Sequence, residues 1–227
     1  MARRKNGSED YWLIGAAFVG AVLLTRMFAG SAGANAGAGS GSGESGDPLV
    51  LEGKRVLLIG SSSAVGYGSH LKTLLAGHGI ADFKNIGVSG TNIRQWPDSS
   101  TDVGRALDKS LAEYRPDVVF IFVGTNDEAL RGSRPNRDIA GLCAPAIEAL
   151  HGKLSGTRSI FIGLPPHKNW PMDPNFRALL ASTWGEDYFN LEPVNPAKAS
   201  DGYHLSQAGY KSLSAALDPW LREKEGK

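Results

Sequence analysis

The chain has 227 residues, a formal net charge of +1 and a single cysteine. Near-neutral charge argues against a polyanion-binding surface, and so against a nucleic-acid partner. Cys143 has no second cysteine for a disulfide and no Cys or His neighbour at metal-ligand spacing, so it is expected to be a packed helix residue.

The chain opens with Arg3, Arg4 and Lys5. Tyr11 to Leu24 follows, uncharged and apolar; Arg26 interrupts, and Met27-Phe28-Ala29-Gly30 resumes. A basic start, an apolar core and small residues beyond it are the order of a signal peptide. A membrane anchor needs about 20 apolar residues, which Tyr11 to Gly30 supplies if Arg26 snorkels to the interface. Tyr11 and Trp12 suit an interfacial belt and favour the anchor. Residues 1–30 are therefore read as a membrane anchor or a signal segment, with residues 11–30 as the part that meets the membrane. In an anchored chain the basic end stays cytoplasmic and the remainder lies outside the cytoplasm; in a cleaved one the remainder is secreted. Residues 31–47 are nearly all Gly, Ala and Ser. Such a segment buries too little apolar surface to offset its ordering and reads as a flexible linker. Residues 48–227 are of ordinary size for one folded domain.

Within that domain, strand-like and helix-like segments alternate. Lys54 to Gly60 reads as the first strand and Gly66 to Gly77 as a helix. Asp82 to Ile86 is a short second strand, and Thr101 to Tyr114 a helix. Pro116 to Val123 is apolar on both faces, as in a covered parallel sheet. Asn136 to Leu154 is a helix, Ser159 to Leu164 a fourth strand, Pro174 to Thr183 a helix and Asp187 to Leu191 a weak fifth strand. Ser206 caps a last helix running to about Lys224. The alternation predicts an α/β fold with helices on both faces of a parallel sheet. Ligands in such sheets bind at the carboxyl ends of the strands.

The loops at those ends hold the unusual residues. The first strand runs into Gly60-Ser61-Ser62-Ser63-Ala64-Val65-Gly66, which places hydroxyls near a helix N-terminus where backbone N–H groups favour negative charge. The same stretch also reads as a Ser-rich loop capping its helix. Gly87-Val88-Ser89-Gly90-Thr91-Asn92 follows strand two, and Gly124-Thr125-Asn126-Asp127 follows strand three. Asp201-Gly202-Tyr203-His204 precedes the capping Ser206. Ser, Gly, Asn and a late Asp-x-x-His are the parts of an acyl-transfer site: a nucleophile, a base with its orienting carboxylate, and donors for a tetrahedral oxyanion.

These blocks, in this order, resemble those of the SGNH, or GDSL-type, esterases and lipases, over roughly Arg55 to Leu217. The resemblance implies a flavodoxin-like three-layer α/β/α sandwich with a parallel sheet of about five strands, order 2-1-3-4-5. It implies a serine esterase with an acyl-enzyme intermediate and neither metal nor cofactor. Ser62 stands in the nucleophile's place, and its distance to the glycines favours it over Ser61 and Ser63. His204 would be the base and Asp201 its orienting partner; Asp201 also reads as an Asx turn with Gly202. The backbone N–H groups of Ser62 and Gly90, with the Asn126 amide, would form the oxyanion hole. One departure stands out: family members usually carry Asp before the nucleophile, and this chain has Ser61. A catalytically silent binding or structural module is the alternative that this departure suggests.

Among the other candidates, Asp127 is expected to tie its loop together. His70, His78 and His151 are expected at the surface. His167 and Trp170 are candidates for a pocket wall or an exposed loop. The substrate is expected to be an ester of a short acyl group, with O-acetyl on an envelope glycan as the favoured case and a lipid ester as the alternative. Asn92, Arg94, Gln95, Trp96 and Asp98 would stack on and hydrogen-bond such a sugar.

Overall fold

The computed structural model describes residues 48–133, 136–167 and 172–226. Five parallel strands, β1 (Arg55–Gly60), β2 (Asp82–Asn85), β3 (Val118–Phe122), β4 (Arg158–Ile162) and β5 (Tyr188–Phe189), form one sheet in the order β2-β1-β3-β4-β5. The helices are α1 (Ser62–Ala76), α2 (Asp102–Lys109), α3 (Thr125–Glu128), α4 (Leu130–Ser133), α5 (Ile139–Lys153), α6 (Pro174–Trp184) and α7 (Gln207–Lys224). This is the expected α/β sandwich and strand order.

Strand parity makes the layers, because successive side chains point to opposite faces. Val56, Leu58, Phe120, Phe122 and Ile160 pack with Tyr67, Leu71 and Leu75 of α1 and Tyr210, Leu213 and Leu217 of α7. Leu57, Ile59, Val119, Ile121 and Phe161 pack on the other face with residues of α2, α5 and α6, among them Leu107, Cys143, Ile147 and Phe176. Cys143 is buried there, as its sequence position suggests. The central strands are apolar throughout because both faces are covered.

Several boundaries differ from the sequence reading. α1 begins at Ser62 rather than Gly66. Gly66 does not start the helix; it admits a neighbour, since a Cβ there would lie 2.1 Å from the Tyr210 hydroxyl. The segment after α2 widens into a π-turn over Ser110–Tyr114 and ends at Arg115, φ 50°. α5 starts at Ile139, where the Asp138 side chain accepts the N–H of Gly141. β5 keeps only two residues. His78 is buried, not at the surface: its Nδ1 lies 2.6 Å from Glu225 and its Nε2 3.0 Å from Asp218, which joins the end of α1 to α7. Among the described residues no helix is long and apolar enough to cross a membrane. The apolar stretch of residues 11–30 and the linker of residues 31–47 lie outside the described residues.

Candidate active site

β1 delivers the nucleophile candidate through a turn that only glycine fits. Gly60 has φ +146°, and a Cβ there would lie 2.1 Å from the Phe122 carbonyl oxygen. The chain then turns directly into α1, with Ser61 at the N-cap and Ser62 as first helical residue. Ser61 and Ser63 are buried, whereas Ser62 is partly exposed. The backbone N–H of Ser62 belongs to the first turn, whose donors have no intrahelical acceptor.

The loop before α7 brings the other two residues. Nε2 of His204 lies 2.9 Å from Ser62 Oγ, and Nδ1 lies 2.6 Å from Asp201 Oδ2. Asp201 Oδ1 accepts the N–H groups of Tyr203 and His204 at 2.8 and 3.0 Å. The Asx turn and the histidine contact therefore coexist, one on each carboxylate oxygen. The hydrogen bond from His204, joined by those two backbone N–H groups, holds the Asp201 carboxyl down at about 2. The loop is closed beneath them by Ala199 N–H to the His204 carbonyl at 2.8 Å and Ser206 N–H to the Ala197 carbonyl at 3.0 Å.

Besides Ser62, the expected oxyanion donors stand in the loop after β2 and in α3. Val88 N–H donates to the Gly60 carbonyl at 2.9 Å, and the Thr91 hydroxyl donates to the Val88 carbonyl at 2.8 Å. These bonds pin the Gly87–Asn92 loop against the end of β1. Gly90 is exposed, has φ +81°, and a Cβ there would meet nothing within 4 Å. Asn126, in α3, donates one amide hydrogen to the Thr91 carbonyl at 2.7 Å. An amide carries two hydrogens, so the second remains for a ligand. The Thr91 carbonyl thus orients Asn126, a role that no side-chain type in the Gly87–Asn92 loop reveals because a backbone group performs it.

Two further residues hold the loop after β3. Asp127 is fully buried and accepts the Ile93 N–H at 2.9 Å, so it ties this loop to the short 3₁₀ turn Ile93–Gln95, as expected. Burial pushes its carboxyl up to about 6. Glu128, also fully buried, receives both Nε and Nη2 of Arg177, at 2.7 and 2.8 Å. No local signal reveals that pair, because its members stand on separate elements.

Other expectations need correction. Trp96 is completely buried in the core and offers no face to a sugar. The side chain of Gln95 turns back to accept the Asn92 N–H at 2.9 Å. His167 is a buried side chain with Nε2 4.0 Å from Glu128 Oε2, and burial pushes its imidazole down to about 4. It is no exposed loop residue. Trp170 lies outside the described residues. Ser61, the departure from the usual Asp, is buried with no hydrogen-bond partner for its hydroxyl among the described residues, and the hydrogen bonds of the Ser62–His204–Asp201 line form without it.

The model of the GDSL-like lipase/acylhydrolase family matches residues 53–212. The chain belongs to this family. As a GDSL-like member it is a serine ester hydrolase of the SGNH type. No curated protein matches the chain. Among solved structures it is similar to LAE5, an alpha/beta hydrolase enzyme from the metagenome of Lake Arreo, Spain. That pair has 15% identity and a TM-score of 0.61, covering 75% of this chain and 96% of the other. A variant of Axe2, an acetyl xylan esterase from Geobacillus stearothermophilus, has 18% identity and a TM-score of 0.58, with 76% and 96% covered. TesA has 20% identity and a TM-score of 0.54, with 75% and 99% covered. At such identities these likenesses carry the fold alone. The GDSL-like core coincides with the described domain, from the turn before β1 into α7.

Proposed function

We propose that Ser62 is the nucleophile of a deacetylating esterase that acts on a large polar alcohol, such as an envelope glycan, through an acyl-enzyme intermediate. The observation that carries the chemistry is the continuous line Ser62 Oγ–His204 Nε2–Asp201. Ser62 Oγ attacks the ester carbonyl carbon while His204 takes its proton. Asp201, acceptor-only and ionised, fixes the Nδ1–H tautomer and stabilises the imidazolium. The N–H groups of Ser62 and Gly90 and the free hydrogen of Asn126 receive the oxyanion. His204 then protonates the leaving alcohol, and a water repeats the sequence on the acyl-enzyme.

The accessible site supports a bulky alcohol. Asp201 and His204 are each nearly half exposed. The attachment point supports a polymeric substrate. Leu49 N–H donates to the Lys224 carbonyl at 2.8 Å, so the chain joins the fold at the far end of α7 from His204. With 18 residues in α7, that separation is about 27 Å. A linker of roughly 17 residues gives a reach of about 20–25 Å. A substrate spread through a layer suits this arrangement better than a lipid of the tethering membrane. The likeness to an acetyl xylan esterase points the same way. The extracytoplasmic location, through residues 11–30 as anchor or after signal cleavage, is part of this proposal.

Acetate release from O-acetylated polysaccharide, measured beside hydrolysis of p-nitrophenyl octanoate, tests the reading. Acetate release with poor octanoyl turnover is expected. Preference for octanoyl esters would favour a lipase or lysophospholipase.

A further inference from the structure

Val65 and Val88 stand out as large apolar side chains left in water, 48% and 45% exposed. Each is a few residues from a reacting group. Val65 lies three positions after Ser62 in α1, on the same helix face. Val88 lies two positions before Gly90, its N–H fixed on the Gly60 carbonyl. Both stand where the loop after β2 abuts the start of α1: a Cβ on Gly87, the residue before Val88, would lie 3.3 Å from the Val65 nitrogen. The neighbouring face of α1 is taken by α7: Gly66, the next residue, abuts Tyr210, and His204 reaches Ser62 from the loop that leads into α7.

The chemistry assigns the two flanks different work. An ester carbonyl carbon carries three substituents. Its oxygen must face the donors, and its alkoxy oxygen must lie within reach of His204 Nε2 to be protonated. The acyl substituent is left with the flank away from His204. Resting on the reading of Ser62 and His204 above, we infer that Val65 and Val88 form an open apolar shelf that receives the acyl group and sets acyl preference. A shelf of two isopropyl groups covers a chain of two to four carbons and leaves a longer one in water. Valines at these positions therefore favour short acyl groups without walling off the site.

The test is the double variant Val65→Ser/Val88→Ser, which removes the apolar surface at exposed positions where the core is undisturbed. kcat/KM is measured for p-nitrophenyl acetate, propionate and butyrate, and separately for phenyl and p-nitrophenyl acetate. The butyrate-to-acetate ratio is expected to fall about three- to tenfold, for one to two methylenes losing partial burial. The phenyl-to-p-nitrophenyl ratio is expected to stay constant. Val50→Ser, at an exposed valine of the opposite end, is expected to leave both ratios unchanged. An unchanged acyl ratio, or a change confined to the leaving-group pair, overturns the shelf. Hydrolysis that persists in Ser62→Ala would overturn the nucleophile instead, so the two failures are distinguishable.

Discussion

Three serines stand in a row after β1, and only the middle one brings its hydroxyl to His204. Ser62→Ala is expected to lower kcat by at least about 10³-fold while Tm stays within a few degrees. Ser61→Ala and Ser63→Ala are expected to keep most activity; loss in either equal to that of Ser62→Ala would contradict the assignment. The pH profile follows from Asp201. Its carboxylate stays ionised down to about 2, held first by His204. No carboxylate step therefore appears in kcat/KM between about pH 3 and 5. A step in that window contradicts the pairing. Asp127 gives a stability signature of opposite sign. Burial raises its pKa from 3.8 to about 6, so the folded state binds more protons than the unfolded state between these values. Its contribution to stability is present below 3.8 and is lost as pH rises through about 6. Tm of the native chain should therefore fall relative to Asp127→Asn across that interval, and parallel Tm curves would refute this.

At the scale of elements, two contacts set where the loops meet. Tyr210 of α7 fills the space that Gly66 of α1 leaves open. Gly66→Ala is expected to cost about 1–3 kcal/mol by overpacking, about 2–4 °C in Tm per kcal/mol. It also lowers kcat, because α7 leads back to His204. Tyr210→Phe in the same chain should recover part of the loss. Arg177 of α6 holds the turn after β3 through Glu128, with further bonds to the Leu164 and Pro165 carbonyls. Arg177→Met leaves a buried carboxylate unpaired and is expected to cost about 3–5 kcal/mol in urea unfolding; a cost under 1 kcal/mol would show the pair to be dispensable. These elements also show what a sequence reveals. The central strands are legible because burial on both faces writes a continuous apolar run. The triad is legible because Asp201 and His204 share one tight turn and Ser62 follows a strand end. Trp96 misled because an aromatic in a polar loop looks exposed until the turn that tucks it into the core is known. Glu128 and Arg177 were silent because a pairing 49 residues apart leaves no local pattern. His78 was misplaced for the same reason, its partners lying on α7.

For the whole molecule, the described fold and the candidate site lie within residues 48–226. A chain beginning at Pro48 is expected to be soluble and to keep the full chain's kcat/KM on p-nitrophenyl acetate. The full chain is expected to remain with membranes through carbonate washing if residues 11–30 act as an anchor; a mature N-terminus between Gly30 and Ser45 would show cleavage instead. The catalytic line of Ser62, His204 and Asp201 is tested most directly by treating the enzyme with a serine-directed phosphonate and mapping the adduct by mass spectrometry. The expected result is stoichiometric labelling of Ser62, lost in His204→Ala and accompanied by complete loss of ester hydrolysis. Labelling of Ser61, Ser63 or another serine, or hydrolysis that continues in the fully labelled protein, would contradict it.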